Sequence, residues 1–256
     1  MRAVRLAVLL AAAALPARAQ DVAGHIAAGE AARCRRNADE ALGHFRAALA
    51  IDSMHYDALW HASQALVDVG RLLPPAQGAR RDSLYTQAAD LARRAVAVNA
   101  SGADGHFMVA VATGRTALTK GARERVRYAG VVREEALRAS ELNPRHDGAL
   151  HVLAMWNAEI QRLPGITKFF AKTFLGASMF NQASWDNSLN YFNQAIEIAP
   201  SNIVHRLDFA EALVDMDRKP DAVQQLQYIA TLEPGCDPMD VNYKNQAAAL
   251  LQRLSR

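Results

Sequence analysis

The chain has 256 residues, 51% of them hydrophobic and 21% charged, a length that suits one elongated domain. Lys and Arg outnumber Asp and Glu by 29 to 26, but Arg2, Arg5 and Arg18 lie in the first nineteen residues, which hold no acid. The remainder carries 26 charges of each sign, which removes the basic footprint of a nucleic-acid binder.

The chain opens as a targeting segment. Arg2 and Arg5 precede an apolar run from Leu6 to Leu15, Pro16 breaks it, and Ala17-Arg18-Ala19 supplies small residues at cleavage positions. Residues 1–19 therefore read as a secretory signal cut after Ala19. The alternative, an uncleaved anchor, meets a run shorter than the roughly 20 apolar residues a bilayer needs. The Ala/Arg-rich leader looks bacterial, so the expected location is exported: periplasmic or secreted.

Residues 20–256 read as a single domain of repeats, and no stretch sustains the two-residue alternation of a strand. The first unit, 22–55, has Gly29 in eighth place and then Ala41, Phe45, Ala48 and Ser53 at offsets 0, 4, 7 and 12 of a second helix. The second, 56–102, repeats this with Ser63, then Ala88, Ala92, Ala95 and Ala100. Gly70 marks its hairpin turn, and a loop from Leu72 to Asp82 is inserted. The third, 103–146, has Ala110, then Val132, Ala136, Ala139 and Pro144, with an extension around Leu118 to Arg127. The fourth, 147–202, has Ala154, then Ser188, Phe192, Ala195 and Pro200, with its insertion from Arg162 to Ala183. The fifth, 203–236, has Ala210, then Ala222, Leu226, Ile229 and Pro234. Small residues in eighth place and at offsets 0 and 7 let paired helices approach closely, and Pro ends the second helix. Residues 241–254 read as a capping helix with Ala247, Leu250, Leu251 and Leu254 inward and Asn242, Lys244, Gln252 and Arg253 outward.

These marks are those of a tetratricopeptide repeat. The expected fold is all-α: a right-handed α-solenoid of about five helical hairpins with insertions and a C-terminal cap. In an oxidising compartment Cys34 and Cys236 could pair, but a solenoid holds its ends apart, so they read better as two unpaired thiols.

From Lys120 to Leu254 the chain also resembles the regulator of microtubule dynamics family. The residues behind this are Arg133-Glu-Glu-Ala-Leu-Arg-Ala-Ser-Glu-Leu-Asn-Pro144, His151-Val-Leu-Ala-Met-Trp156 and Ser188-Leu-Asn-Tyr-Phe-Asn-Gln-Ala195. The long insertion beginning Ile160-Gln-Arg-Leu-Pro-Gly-Ile-Thr-Lys-Phe-Phe belongs with them. In eukaryotic cells the resemblance implies association with microtubules or organelle membranes; an exported bacterial relative meets no microtubule.

The tetratricopeptide resemblance implies that partners bind the concave face made by first helices. Its positions here are Asp57, Trp60, Gln64 and Asp68; Asp104, Phe107, Val111 and Arg115; His151, Met155 and Glu159; and Leu207, Glu211 and Asp215. Aromatic and Met side chains flanked by acids suit a protein segment carrying apolar and basic residues. The alternative is that Trp60, Phe107 and Met155 lie under the terminal helix or the insertion. The Lys and Asn that clamp a C-terminal carboxylate in some such grooves are missing.

A second functional reading uses the apolar insertion 163–180, with Phe169, Phe170, Phe174, Leu175, Met179 and Phe180, as an interfacial segment on a membrane. The competing reading is an extra helix inside the superhelix. Seven basic residues against three acids between Arg115 and Arg138 read as a solvated helix face. The eight histidines form no metal-ligand spacing, and no phosphate loop or nucleophile elbow occurs. The expectation is a non-catalytic scaffold for a protein partner, without cofactor or metal.

Overall fold

The computed structural model describes residues 19–117, 120–165, 167–168, 173 and 178–255. The leader residues 1–18 and half of the apolar insertion 163–180, Phe169, Phe170, Phe174 and Leu175 included, lie outside the described residues. Among the described residues there is no strand.

Among the described residues, eleven continuous helices follow one another: α1 (19–34), α2 (Ala38–Ile51), α3 (Tyr56–Leu72), α4 (Gly78–Val98), α5 (Ala103–Ala117), α6 (Ala122–Leu142), α7 (Asp147–Arg162), α8 (Trp185–Ile198), α9 (Ile203–Asp215), α10 (Lys219–Thr231) and α11 (Asp240–Leu254). They pack as hairpins in chain order, with α11 against α10 and α9. First helices of neighbouring units, α3 with α5, α5 with α7 and α7 with α9, also touch, which gives them the inner face.

The helix starts are set by local capping. α3, α5, α7 and α9 begin at Tyr56, Ala103, Asp147 and Ile203, where the register puts unit starts. His55 Nδ1 accepts from Ala58 N and His146 Nδ1 from Ala149 N, so two histidines serve as N-caps. Ser184 and Asn202 do the same for α8 and α9. The inserted residues of the second and third units mostly lengthen second helices: α4 and α6 have 21 residues each, and only Pro75–Gln77 forms a separate 3-10 turn.

Hairpin seams are dry. Ala41, Phe45, Ala48, Ala88, Ala92, Ala95, Ala136, Ala139, Ser188, Phe192, Ala195 and Ala222 are fully buried, as are Ser63, Ala110, Ala154 and Ala210 from the facing helices. Gly29 is required where it stands, because a Cβ there would collide with the Phe45 ring. Two hydroxyls replace apolar contact at the seam in mirror fashion. Ser63 Oγ donates to Ala88 O at 2.8 Å, and Ser188 Oγ donates to Ala154 O at 2.9 Å. Each buried hydroxyl is thereby satisfied.

The main apolar clusters divide the molecule. One draws on α1 to α5 and the other on α7 to α11, with smaller clusters at the α6–α7 junction joining them. Ala247 and Leu250 of the cap are buried, with Leu251 and Leu254 half-buried. Lys244 is not free on the outer face as expected, since its ammonium reaches Leu232 O.

The expectation of two unpaired thiols is overturned. Cys34 and Cys236 form a disulfide with their Cα atoms 3.8 Å apart, across 202 residues of sequence. The solenoid closes on itself instead of holding its ends apart. The end of α1 meets the loop before α11, and α3 faces the start of α11.

Candidate partner-binding face

The closure brings a charged cluster together. Arg33 Nε donates to Asp68 Oδ2 at 2.8 Å, and Arg71 Nη2 donates to Asp68 Oδ1 at 2.8 Å and to Asp237 Oδ1 at 2.5 Å. Arg71 Nη1 also donates to the Tyr243 hydroxyl at 3.1 Å. Burial works against the Arg71 charge, but Asp68 and Asp237 outweigh it and raise its pKa. Asp68, expected on the open concave face, is therefore buried and spent on two arginines. Leu207 is also core, fully buried in the second cluster.

The other expected positions form two stations. In the first, Trp60 and Phe107 are half-buried against the first cluster, with Val111 beside them. Trp60 stacks on His61 and donates from Nε1 to Asp57 Oδ1 at 3.2 Å. Phe107 lies on His146, which approaches Asp104 at 3.4 Å. Gln64 and Arg115 are intermediate in exposure, and Asp57 is exposed.

The second station is acidic. Arg162 donates from Nε to Asp215 at 2.6 Å and from Nη1 to Glu159 at 2.5 Å. His151 Nε2 meets Asp208 Oδ2 at 2.8 Å, and Met155 is half-buried nearby in the second cluster. Glu211 makes no ion pair among the described residues. Burial and the surrounding Asp208, Asp215 and Glu159 push its carboxyl up, against Arg162 alone.

Register alone points to neither Arg162 nor Asp208, the former because it follows the last groove position and the latter because it lies between two. Both become visible only when α7 and α9 are side by side. Several histidines share a role that their spacing in the sequence does not show, because it is carried by carboxylates of other helices. His61 approaches Glu30 at 3.3 Å, His205 bonds Asp147 at 2.9 Å, and His106 bonds Glu135 at 2.6 Å. Burial pushes His61 down to about 4; burial, then the neighbouring His151, does the same to His205. Both are neutral rings holding units together.

Among the described residues, no group of His, Cys, Asp or Glu can hold a metal ion, and no helix is long and apolar enough to cross a membrane. Of the apolar insertion, the described Leu163, Met179 and Phe180 pack inward against Trp156, Ile160 and Val126.

Comparison with known proteins adds relatives. The model of the family described as Regulator of microtubule dynamics protein 1-3 matches residues 27–255. "Regulator of microtubule dynamics protein 1" of Bos taurus is 23% identical over 150 residues, covering 59% of this chain and 46% of that protein. The Homo sapiens protein of the same name is 23% identical over 142 residues, covering 56% and 44%. The chain thus spans about half the length of the curated relatives it matches. The thermophilic tetratricopeptide-repeat protein TTC0263 of Thermus thermophilus superposes with a TM-score of 0.64 at 18% identity, over 90% of this chain and 99% of that one. PilF of Pseudomonas aeruginosa gives 0.54 at 15% identity over 93% of each chain. At such identities the likeness concerns the fold.

Proposed function

Starting from a chain that belongs to the Regulator of microtubule dynamics protein 1-3 family and folds as a tetratricopeptide solenoid, we propose a non-catalytic scaffold that holds a cationic, apolar-bearing segment of a protein partner on its inner face. The observation that carries this is Glu211. Among the described residues it is an unpaired carboxylate beside Asp208, Asp215 and Glu159, and its one cationic neighbour is already engaged. A Lys or Arg arriving there relieves like-charge repulsion, while Met155, Trp60 and Phe107 offer half-buried apolar surface to the residues flanking it.

The setting we propose is an exported one. The leader supports it, and so does the disulfide, because such bonds persist in oxidising compartments. Of the relatives' name, the regulatory part carries over to that setting, and the microtubule does not.

Selection from a displayed library of random peptides tests the reading. The expected result is enrichment of sequences pairing Lys or Arg with aromatic or large aliphatic residues, with binding lost in the Glu211→Lys/Asp215→Lys variant. No enrichment, or equal binding by that folded variant, overturns it.

A further inference from the structure

We propose that the Cys34–Cys236 disulfide is a redox-released clasp that keeps the inner face confined within a closed solenoid until a dithiol reductant opens it. The proposal rests on the inner-face reading above and concerns its regulation.

Three observations meet at the closure. The first is what holds it apart from the disulfide. Across the join, Arg36 Nη1 reaches Pro234 O and Gly235 O at 3.5 and 3.3 Å, Arg33 lies 4.0 Å from Asp237, and Arg71 bonds Asp237 and Tyr243. These are polar contacts that water can replace.

The second is where the apolar clusters fall. The cluster of α1 to α5 and that of α7 to α11 meet through α6 and α7, on the far side of the molecule in sequence order. No buried cluster among the described residues spans the join itself. Everywhere else neighbouring units share a core; here the ends are held by charge, by the Arg71 guanidinium lying 5.9 Å from the centre of the Tyr243 ring, and by one covalent bond. Solenoid units are stabilised by their neighbours, so releasing the ends leaves each half intact.

The third is access. Cys34 and Cys236 are both exposed, so a thiolate can reach the bond from solvent. One thiolate of the reductant attacks a sulfur of the disulfide and releases the other Cys as thiolate. The second thiol of the reductant then attacks the mixed disulfide. Two electrons pass to the protein, which ends with two thiols, and the reductant ends as a disulfide.

Opening separates the 232–239 loop from α1 and α3 and lets the helical hairpins spread. The inner face then admits a segment that belongs to a larger protein, which a closed ring excludes.

Peptide-resolved hydrogen exchange and small-angle scattering on residues 20–256 test this, comparing the oxidised protein, the protein reduced with dithiothreitol, and Cys34→Ser/Cys236→Ser. The expected result is exchange faster by about tenfold or more in residues 33–37, 68–73 and 232–239, unchanged exchange in α7 to α9, and a larger radius of gyration. Unchanged exchange and radius after reduction overturn the clasp, because the polar contacts alone then hold the join. Uniform acceleration through every helix also overturns it, since the bond is then a staple for the whole fold. These readouts involve no ligand, so they judge the clasp whatever the peptide selection returns. Equal peptide binding by oxidised and reduced protein overturns the regulation and leaves the inner-face reading standing.

Discussion

Arg71 and Asp68 lie one turn apart on α3 and hydrogen-bond at 2.8 Å, and Asp68 gives its second oxygen to Arg33 of the preceding unit. The carboxylate is almost wholly buried, so its two guanidinium partners are what make its position tolerable. Arg71→Ala leaves it with one. The expected loss is about 3 kcal/mol of unfolding free energy, read from urea denaturation of the oxidised protein. Asp237→Asn, which touches a more exposed partner of the same arginine, is expected to lose less than half as much.

Acid should loosen the unit interfaces. His61 and His205 are neutral in the fold, with pKa values of about 4, and take up a proton near 6.5 when unfolded. Their contribution is therefore complete above about pH 6.5 and is lost as pH falls towards 4, by roughly 3 kcal/mol for each at the lower end. Urea midpoints between pH 7.5 and 4.5 are expected to fall accordingly. His205→Leu should be less stable at pH 7.5, having lost its bond to Asp147, but should show a flatter pH dependence.

Two glycines on one hairpin should respond with opposite sign. Gly43 lies inside α2 with open space where a Cβ would go, so Gly43→Ala is expected to raise stability by about 0.8 kcal/mol through helix propensity. Gly29 faces Phe45 without room for a methyl group, and Gly29→Ala is expected to lower stability by about 1–3 kcal/mol through overpacking. Thermal melts of the two variants beside the parent decide both.

The seam hydroxyls offer a symmetric test. Ser63→Ala and Ser188→Ala each remove one donor to a carbonyl that keeps its own helical bond. Each is expected to cost about 1 kcal/mol, and the double variant about the sum, because the two seams lie in different hairpins. A double variant far from additive would show that the second and fourth units are coupled.

Helix pairing was legible because a single small residue in each facing position governs how close two helices come. Gly29, Ser63, Ala110, Ala154 and Ala210 announce this locally. The closure was not legible, because it depends on the summed rotation of five hairpins. Cys34 stands in the first unit where Asp68 stands in the second, a place the register assigns to the open face, and Cys236 follows the Pro234 that ends the last repeat, so neither signals a pairing. The same holds for Arg71 and Asp237, whose meeting requires the second unit to face the loop before α11. Register assigns Asp68 and Leu207 to the open face, because it fixes the side of a helix but not what later packs over it. Glu159, Glu211 and Asp215 remain exposed because nothing described folds back over α7 and α9 there.

The disulfide also changes how the chain comes apart under damage or tension. A protease cut anywhere between residues 35 and 235 yields two pieces that stay on one molecule, so the nicked protein keeps its mass until a reductant is added. Pulling on the two termini can draw out only α1 and α11, which lie outside the bond, and the force bypasses α2 to α10 between the cysteines. A solenoid ordinarily unravels one repeat after another from a free end. Here α1 and α11 can still fray, but the hairpins between the two cysteines offer no free end from which to begin.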